Sequence, residues 1–281
     1  MILVTGATGT VGGQVLRGLG ADHAVRVMAR DPRKVGAPAG VEVVHGDYGD
    51  PDSLDRALAG VRGVFLVTAR VGGDDDEVFL RAARRAGVRH VVKLSAAAVE
   101  DDRANDLITR WQRENERLLR DSGMEWTLLR PRSFMSNTLS WAGSIRSEGV
   151  VRTLYGASSN ACVDPRDIAE VAVRALTEAG HAGRAYTLTG PRAVTAIEQT
   201  AQLSELLGRP LRYEEVEPDQ ARARWGERYP AAVVDALSRS AERQRDGAKV
   251  RVEPTVREVT GRPAGSFEDW ARDHLAAFMP L

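Results

Sequence analysis

The chain has 281 residues, 43% of them hydrophobic and 28% charged, with a formal net charge of +0. That is a globular composition long enough for one large or two interlocked domains, and its neutrality gives no general electrostatic case for nucleic acid or a membrane surface. Cys162 is the single cysteine, so no internal disulfide can form, which suits a reducing cytoplasm. The opening "MILVTGATG" has too short an apolar run for a signal peptide, and no stretch approaches the roughly 20 apolar residues of a spanning helix. Lysine occurs only at Lys34, Lys93 and Lys249.

Strand and helix signals alternate from the first residue. "MILVTG" reads as a buried strand ending in glycine, and "VGGQVLRGLG" as an amphipathic helix. "AVRVMAR" and "VEVVHGD" are the second and third strands. "DPDSLDRALAG" is a helix with Asp50 as N-cap and Pro51 at its first position. "VRGVFLVT" is the fourth strand, and a helix from Asp74 to Ala86 closes at Gly87. The acids Asp74 to Glu77 at its start read as a solvated first turn. "RHVVKLSA" is the fifth strand, "RWQRENERLLRDSG" the next helix and "MEWTLLRP" the sixth strand. Further on, Asp164 and Pro165 open a strong helix, "AYTLTG" is one more strand, and Thr195 with Glu198 has capping-box spacing. "LRYEEVEP" reads as a strand on a small second sheet, followed by mostly helical sequence. This alternation predicts an α/β fold: a Rossmann-type, doubly wound parallel sheet with a smaller C-terminal α/β part.

Gly6, Gly9 and Gly12 lie in "GATGTVG", directly after a strand and at the opening of a helix. The first glycine allows a tight turn, the second lets backbone approach a pyrophosphate, and the third permits close helix–strand packing. Thr8, Thr10 and Val11 complete the loop. Arg30 stands at the tip of the second strand, where Arg accommodates a 2′-phosphate and an acid would bind a ribose hydroxyl. NADP(H) is therefore preferred, with NAD(H) possible, although Asp31 is placed to neutralise Arg30 in part. Asp47 ends the third strand, where its carboxylate would accept from an adenine amino group or simply cap a turn. Thr68, Ala69 and Arg70 end the fourth strand, where backbone would flank the adenine ribose. No metal constellation and no flavin motif is present in the pattern. Residues 1–135 are expected to form the NAD(P)-binding Rossmann domain and residues 136–281 a substrate-binding part that returns one or more strands to the main sheet.

"VTGATGTVGGQVL", "VRVMARDPRK", "VEVVHGDYGDPDSLDRALAGV", "AGVRHVVKLSA", "WTLLRPRSFMSN" and "VDPRDIAEVA" together resemble the NmrA-like atypical short-chain dehydrogenase/reductases. The layout is similar to the triphenylmethane-reducing and NAD(P)H-quinone-reducing members of that group. The resemblance implies that Gly6, Thr8, Gly9, Val11 and Gly12 hold the pyrophosphate, that Arg30 meets the 2′-phosphate, and that Asp47 and Tyr48 meet the adenine. It places Thr68 and Ala69 along the ribose, Ser95 near the nicotinamide, and the turn Pro131–Phe134, Ser133 included, at the carboxamide end.

Short-chain reductases usually protonate their substrate with a Tyr whose pKa is lowered by a Lys one turn away. Here those positions fall on Gln112 and Glu116, and neither residue can do that work. The expected reaction is hydride transfer to an acceptor that needs little acid help, such as a quinone or another conjugated aromatic molecule, with catalysis mostly by positioning. Arg132, Ser95 and Gln112 are the candidate catalytic side chains, Arg132 as an electrophile unless it pairs with Asp164 or Asp167. Trp111, Phe134, Met135, Asn137, Trp141, Tyr155 and Trp225 are candidates for the substrate pocket, or for ordinary packing. Two alternatives stand beside this reading: quinone reduction coupled to O₂-dependent hydroxylation or ring modification of an aromatic polyketide, and a non-catalytic NADP sensor. Nothing in the pattern specifies an oligomeric state.

Overall fold

The computed structural model describes residues 1–20 and 22–279. Its strands are β1 (Ile2–Thr5), β2 (Val25–Ala29), β3 (Glu42–His45), β4 (Gly63–Leu66), β5 (His90–Leu94), β6 (Glu125–Pro131), β7 (Val150–Thr153), β8 (Arg184–Leu188) and β9 (Arg212–Glu215). Its helices are α1 (Gly12–Leu19), α2 (Pro51–Leu58), α3 (Asp75–Arg85), α4 (Leu107–Arg120), α5 (Ala142–Glu148), α6 (Pro165–Thr177), α7 (Ala196–Leu207), α8 (Pro218–Gly226), α9 (Ala231–Arg245), α10 (Thr255–Thr260) and α11 (Phe267–Asp273). Seven strands form one parallel sheet in the order β3-β2-β1-β4-β5-β6-β8, the doubly wound arrangement expected.

Successive residues of a strand point to opposite faces, so each apolar run feeds two cores. Leu3, Val91 and Leu128 pack with Leu54, Phe79 and Leu119 beneath α2, α3 and α4. Val4, Val92 and Leu129 face the other way, onto Val15, Leu16 and Ile168 of α1 and α6. Burial on both faces explains why these strands are nearly unbroken hydrophobic runs. Truncating one of the fully buried leucines to Ala should cost about 2–5 kcal/mol.

The helix starts follow local chemistry. Asp50 and Asp164 cap α2 and α6 through the backbone N–H groups of Ser53 and Arg166, each with Pro in the first turn. Thr195 and Glu198 form a reciprocal capping box on α7. The first turn of α3 differs from its sequence reading. Asp75 and Asp76 are buried, not solvated, because Arg70 pairs with Asp75 and Lys93 reaches Asp76 from inside the sheet.

β8 extends the main sheet although it lies past residue 135; Thr127 pairs with Arg184, and Pro131 with Leu188. Its preceding helix, α6, packs on α1. β7 and β9 make a separate two-stranded parallel sheet, Val150 pairing with Arg212. Met135, Ile145, Val151, Leu203, Trp270 and Phe278 form the core beneath it. The direction of strand order changes at β1, so the carboxyl ends of β1 and β4 open a crevice there. Thr5 ties these two ends together, its Oγ1 donating to the Phe65 carbonyl at 3.1 Å and accepting from the Val67 N–H at 2.7 Å.

Candidate active site

The loop between β1 and α1 is built so that backbone, not side chain, faces the crevice. Gly6 has φ +64°, a left-handed conformation. A Cβ on Gly12 would come closer than 3.0 Å to the Gly6 carbonyl, so no larger residue fits under the helix start. The Gly9 N–H closes the turn on Gly6 O at 2.9 Å. Thr8 and Thr10 are exposed at the loop tip, and Val11 is buried as an anchor. No side chain caps α1 and its first turn holds no acid, so the helix start is open to an anion, with the Gly13 N–H already given to Gly9 O at 3.0 Å. A recess of about 350 Å³ borders the loop, lined in part by Thr8, Thr10, Gln14 and Arg166. These features fit a dinucleotide pyrophosphate.

At the tip of β2, Asp31 accepts Arg33 Nε at 2.9 Å and Nη2 at 3.2 Å. That bond holds the Asp31 carboxyl below its usual range and takes it away from Arg30. Arg30 is exposed and, among the described residues, has no carboxylate within 4.0 Å. Asp47 forms a turn, accepting the Gly49 N–H at 2.8 Å. The Tyr48 hydroxyl donates to the Val67 carbonyl at 3.0 Å, and its ring meets Phe79 edge-on at 6.0 Å. Burial pushes the Tyr48 phenol up, so it is a neutral wall of the crevice. Thr68 Oγ1 donates to Asp76 at 2.5 Å, joining the buried Lys93–Asp76 pair. Arg70 is spoken for by Asp74 and Asp75. Lys93, read only as one of three lysines, thus braces the floor of the crevice. A charged residue inside an apolar strand was its one sequence signal.

At the other end, α4 carries Gln112 and Glu116, the residues expected in place of Tyr and Lys. Glu116 is buried and accepts from Ser95 Oγ at 2.6 Å, Arg130 Nε at 2.9 Å and Arg120 Nη2 at 3.0 Å. Burial alone would raise its carboxyl, but the bonds from Arg130 and Ser95 prevail and hold it below the ordinary value. It is an ionised brace, and it consumes the Ser95 hydroxyl. Gln112 is half-buried with Oε1 unpartnered among the described residues, an acceptor rather than a proton source. Neither of these two positions on α4 supplies a proton.

A cavity of about 310 Å³ opens beyond the carboxyl ends of β5 and β6. Ser95, Pro131, Ser133 and Phe134, expected near the nicotinamide, all line it, as does Asn137. The other expected pocket aromatics lie elsewhere. Trp111 donates its indole N–H to the Gly73 carbonyl at 3.3 Å and pins α4 to the loop before α3. Met135 is core, and Trp141 packs partly buried on the same core. Tyr155 (φ 52°) lies in a separate recess, with Arg245 over its ring at 5.3 Å. Trp225 sits half-buried on α8. No aromatic cluster forms, because these side chains are carried on separate elements.

What closes the cavity is charge. Arg132 pairs with neither Asp164 nor Asp167, which are held by Arg166 and Arg262. Its guanidinium makes no hydrogen bond or ion pair among the described residues, and its buried Nε is orphaned. Lys249 and Arg243 also line the cavity. Arg243 is paired with Asp106 at 2.8 Å, whereas Lys249 reaches only Ser240 at 3.1 Å and Gln244 Oε1 at 3.3 Å. Burial, with the charges of Arg243 and Arg132 beside it, pushes the Lys249 ammonium down to about 8. Sequence reasoning missed Arg243 and Lys249, which fall in a long Arg-rich helix and the loop after it, with no local pattern to mark them. Cys162, by contrast, is inert: burial raises its thiol to about 12.

The chain matches the NAD(P)H-binding family over residues 6–179. It is 59% identical to the (4-alkanoyl-5-oxo-2,5-dihydrofuran-3-yl)methyl phosphate reductase of Streptomyces griseus, over 100% of both chains. It is 39% identical to the NAD(P)H azoreductase of Xenophilus azovorans, over 99% of each. The NADPH complex of a quinone oxidoreductase from Escherichia coli superposes with a TM-score of 0.85 at 28% identity, over 98% of this chain and 100% of that one. With the glycine loop, the doubly wound sheet and these likenesses together, the chain belongs to the NmrA-like NAD(P)H-binding family and is an NAD(P)H-dependent oxidoreductase.

Proposed function

We propose that the protein reduces the conjugated double bond of a small acylated dihydrofuranone carrying a phosphate ester, with NADPH as the preferred donor. The observation that carries this is the cavity beside the nicotinamide position. It offers cations and no proton donor at the usual place, and the relative acting on such a furanone phosphate shares 59% of its residues. NADPH, when bound, supplies the hydride.

The chemistry of that acceptor suits the missing Tyr and Lys. Its ring double bond is conjugated with two carbonyls, the lactone and the alkanoyl group. When hydride adds to the ring carbon that bears the phosphomethyl group, the electron pair spreads over both carbonyl oxygens. A charge so dispersed needs no strong acid, and water can return the proton to the neighbouring carbon. The protein's task is then to hold the ring flat against the wall formed by Pro131, Ser133 and Phe134, and positioning of this kind can lower a barrier by several kcal/mol, on the order of 7–11 at the upper limit. Preference for NADPH rests on Arg30, whose unpaired guanidinium suits a 2′-phosphate.

A quinone acceptor is the second reading, supported by the likeness to the quinone oxidoreductase. Both acceptors delocalise the incoming charge, but only the furanone phosphate also accounts for the cations. The test is NADPH oxidation with the acylated dihydrofuranone phosphate and with a panel of quinones, followed by identification of the reduced products. Faster saturable turnover of the furanone phosphate supports the proposal. Turnover of quinones alone would replace it with the second reading.

A further inference from the structure

We infer that Arg132 and Lys249, backed by Arg243, form a phosphomonoester subsite that holds the acceptor by its phosphate and fixes which ring carbon meets the nicotinamide. The inference rests on the reading of the acceptor given above, and deepens it by naming the residues that recognise it.

Three observations converge on one end of one cavity. First, three cationic side chains line it against two acids, of which Asp106 is engaged and Asp101 keeps one buried oxygen, Oδ2, without a hydrogen-bond partner among the described residues. Asp106 accepts Arg243 at 2.8 Å and the Thr109 hydroxyl at 2.8 Å, while Asp101 lies 3.8 Å from Arg243. Arg243 is therefore fixed and neutralised. Second, the guanidinium of Arg132 is without a partner among the described residues, and one of its N–H groups is buried. A buried donor left unpaired costs free energy that a ligand acceptor would recover. Third, Lys249 shares the cavity with Arg132 and has no carboxylate within 4.0 Å among the described residues. Cations crowd together out of water only where something compensates them. A phosphate dianion carries the charge that two free cations lack, and its oxygens match the planar fork of Arg.

The placement gives the subsite its purpose. Arg132 directly follows Pro131 at the end of β6, adjoining the wall against which the acceptor ring would lie. Lys249 comes from the loop after α9, tied to the sheet side by the bond from Ala161 N–H to its own carbonyl at 2.8 Å. The phosphate is thus gripped from both parts of the chain, a short arm's length from the reacting carbon. Ser240 and Ser133 supply hydroxyls around the same space. A phosphate dianion carries up to two negative charges where a carboxylate carries one, so two free cations favour the phosphate ester over a simple acid.

The test compares the dihydrofuranone phosphate with its dephosphorylated hydroxymethyl counterpart. Wild-type protein should favour the phosphate in kcat/KM by about 100-fold or more, the worth of two charge-assisted contacts. In Arg132→Met and in Lys249→Met the preference should shrink by about 10-fold or more, mainly through KM, while Lys249→Arg keeps most of it. Equal use of both compounds by the wild type would overturn the inference. So would an equal loss on both compounds carried by kcat in Arg132→Met, which would place Arg132 in the hydride step. Calorimetry of the NADP⁺-saturated protein with inorganic phosphate provides an arm that needs no turnover. Binding that weakens in Lys249→Met supports the subsite even if the furanone proves not to be the acceptor. Absence of phosphate binding to the wild type contradicts it, whatever the acceptor.

Discussion

Two of the three lysines are withdrawn from bulk solvent, and they are treated in opposite ways. Lys93 is fully buried in β5 and pairs with Asp76, itself buried and bonded by Thr68 at 2.5 Å. Lys249 faces a cavity with two arginines nearby and no carboxylate within 4.0 Å among the described residues. A buried charge with its counter-ion in place is part of the fold, and removing one partner leaves the other stranded. A partly buried charge without one is costly to the fold, and is retained for what binds there. The same contrast separates Arg70, held by Asp74 and Asp75, from Arg30, which has no carboxylate within 4.0 Å among the described residues.

The strongest test of this contrast is stability. Asp76→Ala should destabilise the protein by about 3–5 kcal/mol in chemical denaturation, because Lys93 then stays buried and unpaired. Lys249→Met should fall within about 1 kcal/mol of wild type, or gain stability, since it removes an uncompensated cation. Equal losses in the two variants would erase the distinction. Next in size, Gly12→Ala should weaken NADPH binding by about 100-fold in a fluorescence titration, because its methyl group would displace the loop from the helix start. Unchanged affinity would mean that the cofactor does not use this turn. Arg30→Ala should raise the KM for NADPH about 10-fold or more and leave that for NADH nearly unchanged, which sharpens the comparison with Arg70.

The smallest effect is on pH. Lys249 has a folded value of about 8, against about 10.4 when unfolded. Below about 8 both states hold the proton and the desolvation penalty is fully present. Between about 8 and 10.4 the unfolded chain binds more protons, so stability gains from this residue as pH rises. Lys249→Met should flatten that rise in denaturation curves measured across the interval. Activity should move the opposite way: kcat/KM for a phosphorylated acceptor should fall as pH climbs through about 8, because the free enzyme then loses a cation.

Much of the scaffold is legible in the residues themselves. Asp50, Asp164 and the Thr195–Glu198 pair announce helix starts because capping is local. The doubly wound sheet follows from the alternation of apolar runs with amphipathic stretches. β7 is not announced: it is four residues long, and its partner lies near residue 212. The acids at the start of α3 look like a solvated first turn until the sheet supplies Lys93 beneath them. The acceptor end is the least legible part. Tyr155 and Trp225 are aromatic in sequence but are carried away from the cavity, whereas Arg132, Arg243 and Lys249 meet only through tertiary folding. Arg30 is legible because it follows the end of a strand beside the glycine loop; charges gathered from distant segments, such as Arg132, Arg243 and Lys249, are not.

The central claim is hydride delivery to the ring of a conjugated acceptor. It is tested most directly by following the label from NADPH deuterated at the transferring position of the nicotinamide. The account predicts one deuterium on the ring carbon bearing the phosphomethyl group, with a solvent proton on its acylated neighbour. Deuterium at any other position, or a reduced product with none at all, would contradict it.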